Sequence, residues 1–326
     1  MTLFTLAEPG TAPLVRFAIS PVWETLAAVR TFVDERSRRY HEPWQRTVRG
    51  RAARADLELL LAVQPRRGYV PDFLTPPPVR PSPRLRDQLA EVRATPLERV
   101  AHELRRCADG LPNGPAAVTV KRLAGNPAAG REQLVSSLQE VWRELVAPFW
   151  PRVRSLLDDD VDRRSHTLAR HGVRRVLDEL HPRIHLTTHG GVSVGDRDAL
   201  EVPLDERGLL LMPSAYAWPA VVAITDEPWQ PTIVYPASGI AALWRRPSPP
   251  PEALAHLLGS TRALLLASLD RPLSTTALAG LTELSPSGVS GHLLTLRDAG
   301  LVSAHRDGHE VRYAATPLGR ALARGS

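Results

Sequence analysis

The sequence predicts an α+β protein, mostly helical. An amino-terminal helical domain with a small antiparallel sheet precedes a compact carboxyl-terminal domain of helices and one β-hairpin. Three patterns predict this. Apolar residues recur at helical spacing in several stretches between residues 20 and 180. Short apolar or β-branched runs bounded by Gly, Pro and Asp fill residues 183–236. From Ser274 to Tyr313, two capped helical patterns lead into a strand pair around Asp307-Gly308. The proline-rich run RRPSPPP separates the two parts, giving a first domain over 1–244, a stiff linker over 245–251 and a second domain over 252–326.

Taken in order, Val15 to Trp23 reads as a short apolar strand feeding a helix. Ser20 caps that helix, Pro21 starts it, and Glu24 in its first turn complements the dipole. The helix is expected to run to about Arg38, with a loop beginning at Pro43-Trp44 and a short helix over Asp56 to Val63. Six of the thirteen residues from Pro71 to Pro83 are proline, which suits an extended linker. Phe73 and Leu74 inside that run point instead to an ordered segment wrapped on the surface of one domain. Helices are expected over Arg84–Ala94, Pro96–Cys107 and Arg131–Ala147. Another is expected over Pro151–Leu180, whose many charges read as a solvated face. The strand runs are RIHLTTHGGVSV, LEVPLD, GLLLMPSAY, AVVAIT and TIVYP. The most apolar run, Gly208 to Thr225, is broken by Pro213 and Pro219, so it reads as strands rather than a membrane span.

The second domain opens with a helix over Glu252–Leu269, with Leu254, Leu257, Leu258 and Leu265 on its apolar side. Ser274 then caps a helix carrying Leu278 and Leu281. Ser285 caps the next, with Pro286 at its first position, where a missing N–H costs nothing. Val289, Leu293 and Leu296 fall on one buried face of this helix. The opposite face carries Ser287, Ser290, Gly291, Leu294 and Asp298, small side chains that would let the helix enter a DNA major groove. Gly300 ends it, and the strand pair follows. His292, at the edge of the apolar face, reads as a packed histidine.

Two helices, a turn between them and a hairpin make a winged helix-turn-helix. At SPSGVSGHLLTLRDAGLV (Ser285 to Val302) and the R-x-G-x-x-V-x-Y run from Arg306 to Tyr313, the sequence resembles the ArsR/SmtB family of bacterial repressors. It departs from them at Glu283, where the family often has glycine. The wider layout resembles the large actinobacterial ArsR-type regulators that carry a long amino-terminal domain of unknown function. SPVWE (Ser20–Glu24), PDFLTPPP (Pro71–Pro78), APFWPRV (Ala147–Val153), RGLLLMPS (Arg207–Ser214) and YPASGIAALW (Tyr235–Trp244) bear that resemblance. Those regulators often have arginine where this chain has Ser238.

The resemblance implies a cytoplasmic, homodimeric, DNA-binding transcriptional regulator, acting as a repressor on an inverted-repeat operator in double-stranded DNA. Ser287, Ser290, Gly291, Leu294 and Thr295 of the recognition helix, with Arg306, His309 and Arg312 of the wing, are the expected DNA contacts. A protein-interaction adaptor, whose winged helix touches no DNA, is the alternative. The amino-terminal domain is expected to dimerise or to hold a small-molecule effector. Trp23, Trp44, Phe73, Trp150, Trp218 and Tyr235 are the candidate lining of an aromatic cavity.

Composition bounds the rest. The net charge of +6 over 326 residues suits nucleic acid. The segment 252–326, however, has seven Arg against six Asp plus Glu, so charge alone does not locate the interface. All basic residues but Lys121 are Arg, as a GC-rich genome would produce. Cys107 is the single cysteine, which excludes an internal disulfide and fits a reducing compartment. No basic run opens the chain as a secretory signal would. Family-type metal sensing is not expected, because Thr275–Thr282 has no cysteine and Pro317–Arg324 no histidine. His181, His185 and His189, with His166 and His171 upstream, have ligand-like spacing. On a strand, however, neighbours four apart are about 13 Å distant, so no metal and no cofactor is expected. No P-loop, GxSxG or dinucleotide fingerprint is present, and no enzymatic activity is expected.

Overall fold

The computed structural model describes residues 2–6, 14–55, 57–66, 68–187, 191–195, 200–204, 206–244, 249–269, 272–282, 284–307 and 310–324. The chain divides into two compact units, one of residues 1–147 with 157–240 and the other of residues 148–156 with 241–326. Part of the expected linker, 245–248, and the expected site residue His309 lie outside the described residues.

The first unit begins with strands β1 (Thr2–Leu6) and β2 (Val15–Phe17). Helix α1 (Pro21–Arg30) starts as the sequence predicts, Ser20 Oγ accepting from Trp23 N at 3.0 Å. It ends earlier than Arg38, because Asp34 caps a new helix, α2 (Glu35–Ala52), by accepting from Arg36 N. Pro43 lies inside α2 rather than opening a loop. An interior proline costs a helix about 3 kcal/mol. That cost is offset by the face it keeps in register: Ser37, His41, Trp44 and Val48 are all buried, and Trp44 Nε1 donates to Leu145 O at 3.2 Å.

Helix α3 (Leu57–Ala62) leads into the proline-rich segment, whose Asp72–Leu74 forms a 3-10 turn. Its Phe73 and Leu74 are fully buried and Pro76, Pro77 and Pro78 are interior, whereas Val79 to Ser82 are exposed, so the segment is ordered as expected but only its second half runs on the surface. Phe73 N donates to the Glu103 carboxylate at 2.7 Å, which answers one backbone group that no strand or helix satisfies. Then come α4 (Leu85–Ala94), α5 (Leu97–Asp109), α6 (Pro115–Gly125) and α7 (Pro127–Val141). The expected start of the last at Arg131 is four residues late, since Asn126 caps it by accepting from Ala129 N. Gly130 permits the crossing of α6 and α7: a Cβ there would meet Leu123 O at 2.7 Å.

Helix α8 (Trp150–Leu180) bends at Gly172, whose φ is +77°. Its charges are not all solvated. Asp160 is fully buried and accepts from Tyr235 Oη at 2.9 Å, Ser238 N at 3.0 Å and an Arg163 guanidinium nitrogen at 3.1 Å. A buried carboxylate persists only when paired in this way. Spacing along α8 could not expose this, because two of the partners come from more than seventy residues downstream.

The remaining strands of the unit are β3 (Ile184–Leu186), β4 (Val192–Val194), β5 (Leu200–Leu204), β6 (Leu209–Ser214), β7 (Val222–Ile224) and β8 (Thr232–Pro236). The mostly helical α+β class holds, but the sheet part differs from one antiparallel sheet. It is two four-stranded mixed sheets, ordered β3-β4-β1-β5 and β2-β6-β8-β7. β1 runs parallel to β5, and β2, β6 and β8 are mutually parallel. Both amino-terminal strands enter these sheets, a long-range pairing that local patterns do not encode. β6 is buried along its whole length because both its faces are covered. Leu209 and Leu211 pack with Ile233, Tyr235, Phe4 and the Val176-Leu177 pair of α8, while Leu210 and Met212 pack with Ala18 and Val234.

The second unit holds most of α9 (Ile240–Leu243), then α10 (Glu252–Leu258), α11 (Ser260–Ala267), β9 (Leu273–Ser274), α12 (Thr275–Thr282), α13 (Pro286–Asp298), β10 (Val302–Asp307), β11 (Glu310–Ala315) and α14 (Pro317–Arg324). The expected helix over 252–269 is two, broken at Gly259, whose φ of +83° suits only glycine. The break turns Leu257 outward to 70% exposure while Leu254 and Leu265 stay buried. Strands β10, β11 and β9 form a three-stranded sheet in that order. Leu265, Leu266, Leu278, Val289, Leu293, Leu296 and Tyr313 are part of one core.

Candidate nucleic-acid interface and ligand cavity

Helix α13 is built as its sequence specifies. Ser285 Oγ accepts from Gly288 N at 3.2 Å and Pro286 occupies the first helical position. Val289, Leu293 and Leu296 are sunk in the core, which fixes the rotation of the helix about its axis. Ser274 caps α12 by accepting from Ala277 N at 3.2 Å. Gly300 takes a φ of +71°, and Thr316 Oγ1 donates to its carbonyl at 2.8 Å.

That fixed rotation presents Ser287, Gly291, Leu294 and Thr295 outward, with Ser290 half-buried beside them. Leu294 is 41% exposed, and nothing lies within 4 Å of where a Gly291 Cβ would stand. Thr295 Oγ1 donates back to Gly291 O at 3.2 Å, so it offers its methyl and its lone pairs rather than its proton. Arg297, at the far end, pairs with Asp298 at 3.3 Å. The face is shallow, small and nearly neutral. It can approach base edges closely but supplies little attraction for phosphate.

The expected wing contacts are cationic. The β10–β11 register pairs His305 with Arg312 and Arg306 with Val311. Directly opposed residues share a face and neighbours alternate. Arg306 and Arg312 therefore lie on opposite faces of the hairpin, and His305, which sequence reading passed over, stands beside Arg312. The ladder also pairs Asp307 with Glu310, so Asp307 belongs to the first strand of the pair rather than to the turn.

Some of the six aromatic candidates are expected to line one cavity, and two of the six do. Trp44, Phe73 and Tyr235 are fully buried packing residues of the first unit, and Trp150 belongs to the second. Trp23 and Trp218 do meet, at a cavity of about 340 Å³ within the first unit. Tyr69, Tyr216, Leu26 and Ile224 add to its apolar wall, and Asp72, Arg106 and Asp226 add charge. This volume is within the range for small-molecule sites. Tyr216 joins the cavity to a packed aromatic group, with ring centroids 5.1 Å from His41 and 5.0 Å from Trp44. Proximity in sequence could have flagged Trp218 beside Tyr216, but Tyr69, Asp72 and Arg106 carry no such signal.

Among the described residues, no three His, Cys, Asp or Glu are grouped as a metal site would need. No described helix is long and apolar enough to cross a membrane.

Fold and exposed helix together define a winged helix-turn-helix DNA-binding transcriptional regulator. Residues 260–304 match the family model described as bacterial regulatory protein, arsR family, and residues 82–241 match a family of unknown function, DUF5937. The chain thus carries a segment similar to the arsR-family DNA-binding domain, preceded by one similar to that second family. No curated protein and no solved structure matches it.

Proposed function

We propose that the protein is a cytoplasmic, homodimeric repressor that reads an inverted-repeat operator and answers to a small effector held by its amino-terminal unit. The observation that carries this is the outer face of α13. Ser287, Gly291 and Leu294 stand exposed over a rigid apolar back of Val289, Leu293 and Leu296. Ser290 and Thr295 flank them, and Arg306, His309 and Arg312 of the wing reach the phosphate backbone on either side. Two copies would set two such helices in successive major grooves. The cavity at Trp23 and Trp218 supports the effector reading. An effector that prefers one arrangement of the two units shifts the population that fits DNA.

A mobility-shift experiment with DNA from upstream of the protein's own gene tests this. Wild type is expected to give a discrete complex. Arg306→Ala is expected to weaken binding to all sequences alike, flattening the dependence of log affinity on log salt by about one. An adaptor that touches no DNA would give no shift at any salt concentration.

A further inference from the structure

The cavity of the first unit has a chemistry of its own. Its cationic side chains are already engaged. Arg30 donates to Pro65 O and Arg66 O, both at 3.3 Å. Arg36 stands 3.9 Å from Asp34. Arg66 reaches Val33 O at 3.4 Å. Arg106 pairs with Asp226 and lies 4.0 Å from the centroid of the Tyr69 ring.

Asp72 differs. Its Oδ2 accepts from Tyr69 Oη at 3.0 Å, a neutral donor, and among the described residues Oδ1 has no partner. Burial first, and the neighbouring Glu103 carboxylate second, push Asp72 up to about 7, against a smaller opposing pull from the Arg106 guanidinium. A cation placed beside it would remove that penalty. Glu103 is itself committed, accepting from Phe73 N at 2.7 Å, from Trp229 Nε1 at 3.3 Å and from Arg99 at 3.5 Å. The cavity around Asp72 has aromatic walls, Trp23, Tyr69 and Trp218, and the Tyr69 ring already carries the Arg106 guanidinium at 4.0 Å from its centroid.

We propose that this cavity binds a small organic cation, with a flat apolar body against Trp23 and Trp218 and an ammonium or amidinium group on the Asp72 carboxylate. An anion would have to draw Arg30 or Arg106 away from the protein acceptors each already holds. A neutral ligand of the same shape leaves Asp72 with its single neutral partner. The proposal rests on the reading of this cavity as an effector site and adds the sign of the effector's charge.

The test is calorimetric titration of the full chain with three probes of one shape: 2-naphthylmethylamine, 2-naphthylmethanol and 2-naphthoate. The ammonium is expected to bind more tightly than the alcohol by about tenfold or more, the ratio one charge-assisted contact supplies. The carboxylate is expected to bind weakest. Asp72→Asn is expected to bring the ammonium-to-alcohol ratio close to one, and Trp218→Ala to weaken both. Asp226→Asn, read in parallel, guards against a fold defect at Asp72. It frees Arg106 to turn to Asp72 and lowers the same ratio from a different element. If the alcohol or carboxylate binds as tightly as the ammonium, the charge assignment is overturned while the effector site stands. If no probe binds, or if Trp218→Ala leaves binding unchanged, the effector site itself fails and the proposal fails with it.

Discussion

Glu24 and His41 set opposed pH dependences inside the first unit. Burial pushes Glu24 from 4.5 up to about 7, although Ala215 N donates to its carboxylate at 2.9 Å. The native chain therefore keeps a proton that the unfolded chain releases between those values, and stability falls as pH rises from 4.5 through 7. Burial lowers His41 from 6.5 to about 4, so its contribution is lost as pH falls through that window. The two oppose each other in the whole protein, so the difference between variant and wild type is what isolates Glu24. Glu24→Gln is expected to gain stability relative to wild type between pH 5 and pH 8, by roughly 3 kcal/mol at most, the worth of a shift from 4.5 to about 7. Denaturant melts at the two pH values check it, and a pH-independent difference contradicts it. At this scale the local chemistry was legible: Ser20, Ser274, Ser285 and Gly300 do what their neighbours in sequence ask of them. Asp160 was not, because Tyr235 and Ser238 give it a reason to be buried from a different part of the chain.

Among elements, α13 is the one whose sequence and structure agree at every level, from cap and apolar back to outer face. Gly291 sits where a side chain meets nothing, so Gly291→Glu is expected to leave folding intact or slightly firmer, since glycine is a poor helix former. It sets a carboxylate against phosphate, and DNA affinity is expected to drop by at least about tenfold. A melting curve beside an anisotropy titration separates the two effects, and unchanged DNA affinity would mean that another surface makes the contact. Gly319 in α14 behaves oppositely. A Cβ there would collide with Leu301 O and crowd Leu266 Cδ1 at 3.2 Å. Gly319→Ala is expected to cost about 1–3 kcal/mol of stability in the second unit, read by thermal denaturation, and an unchanged melting temperature contradicts that packing. The sheets were legible only as strands. The runs in residues 183–236 announced themselves, but β1 and β2 join them from the far end of the unit. Gly259 and Pro43 mark the same limit from the other side. A helical pattern crosses both, yet a positive φ breaks one helix, whereas buried Trp44 and His41 carry the other straight through.

Over the whole molecule, two compact units divide sensing from binding in the function proposed. The division of the chain falls at 147–157 and 240–241, so helix α8 and helix α9 each run from one unit into the other. In that proposed function, an effector bound at Trp23, Asp72 and Trp218 would act on DNA through chain that is continuous across these points. The winged helix could be read from the sequence because its caps, apolar back and hairpin are local. The cavity could not, because Trp23, Tyr69, Arg106 and Trp218 converge from four separate segments. The central claim is that the face of Ser287, Gly291 and Leu294 reads duplex DNA, and recovery of genomic fragments by the purified full chain tests it most directly. The expected result is enrichment of a small set of fragments sharing an inverted repeat, bound less tightly as salt rises and lost with Gly291→Glu. Recovery of no fragment above background at low ionic strength, or equal recovery by wild type and Gly291→Glu, would contradict it.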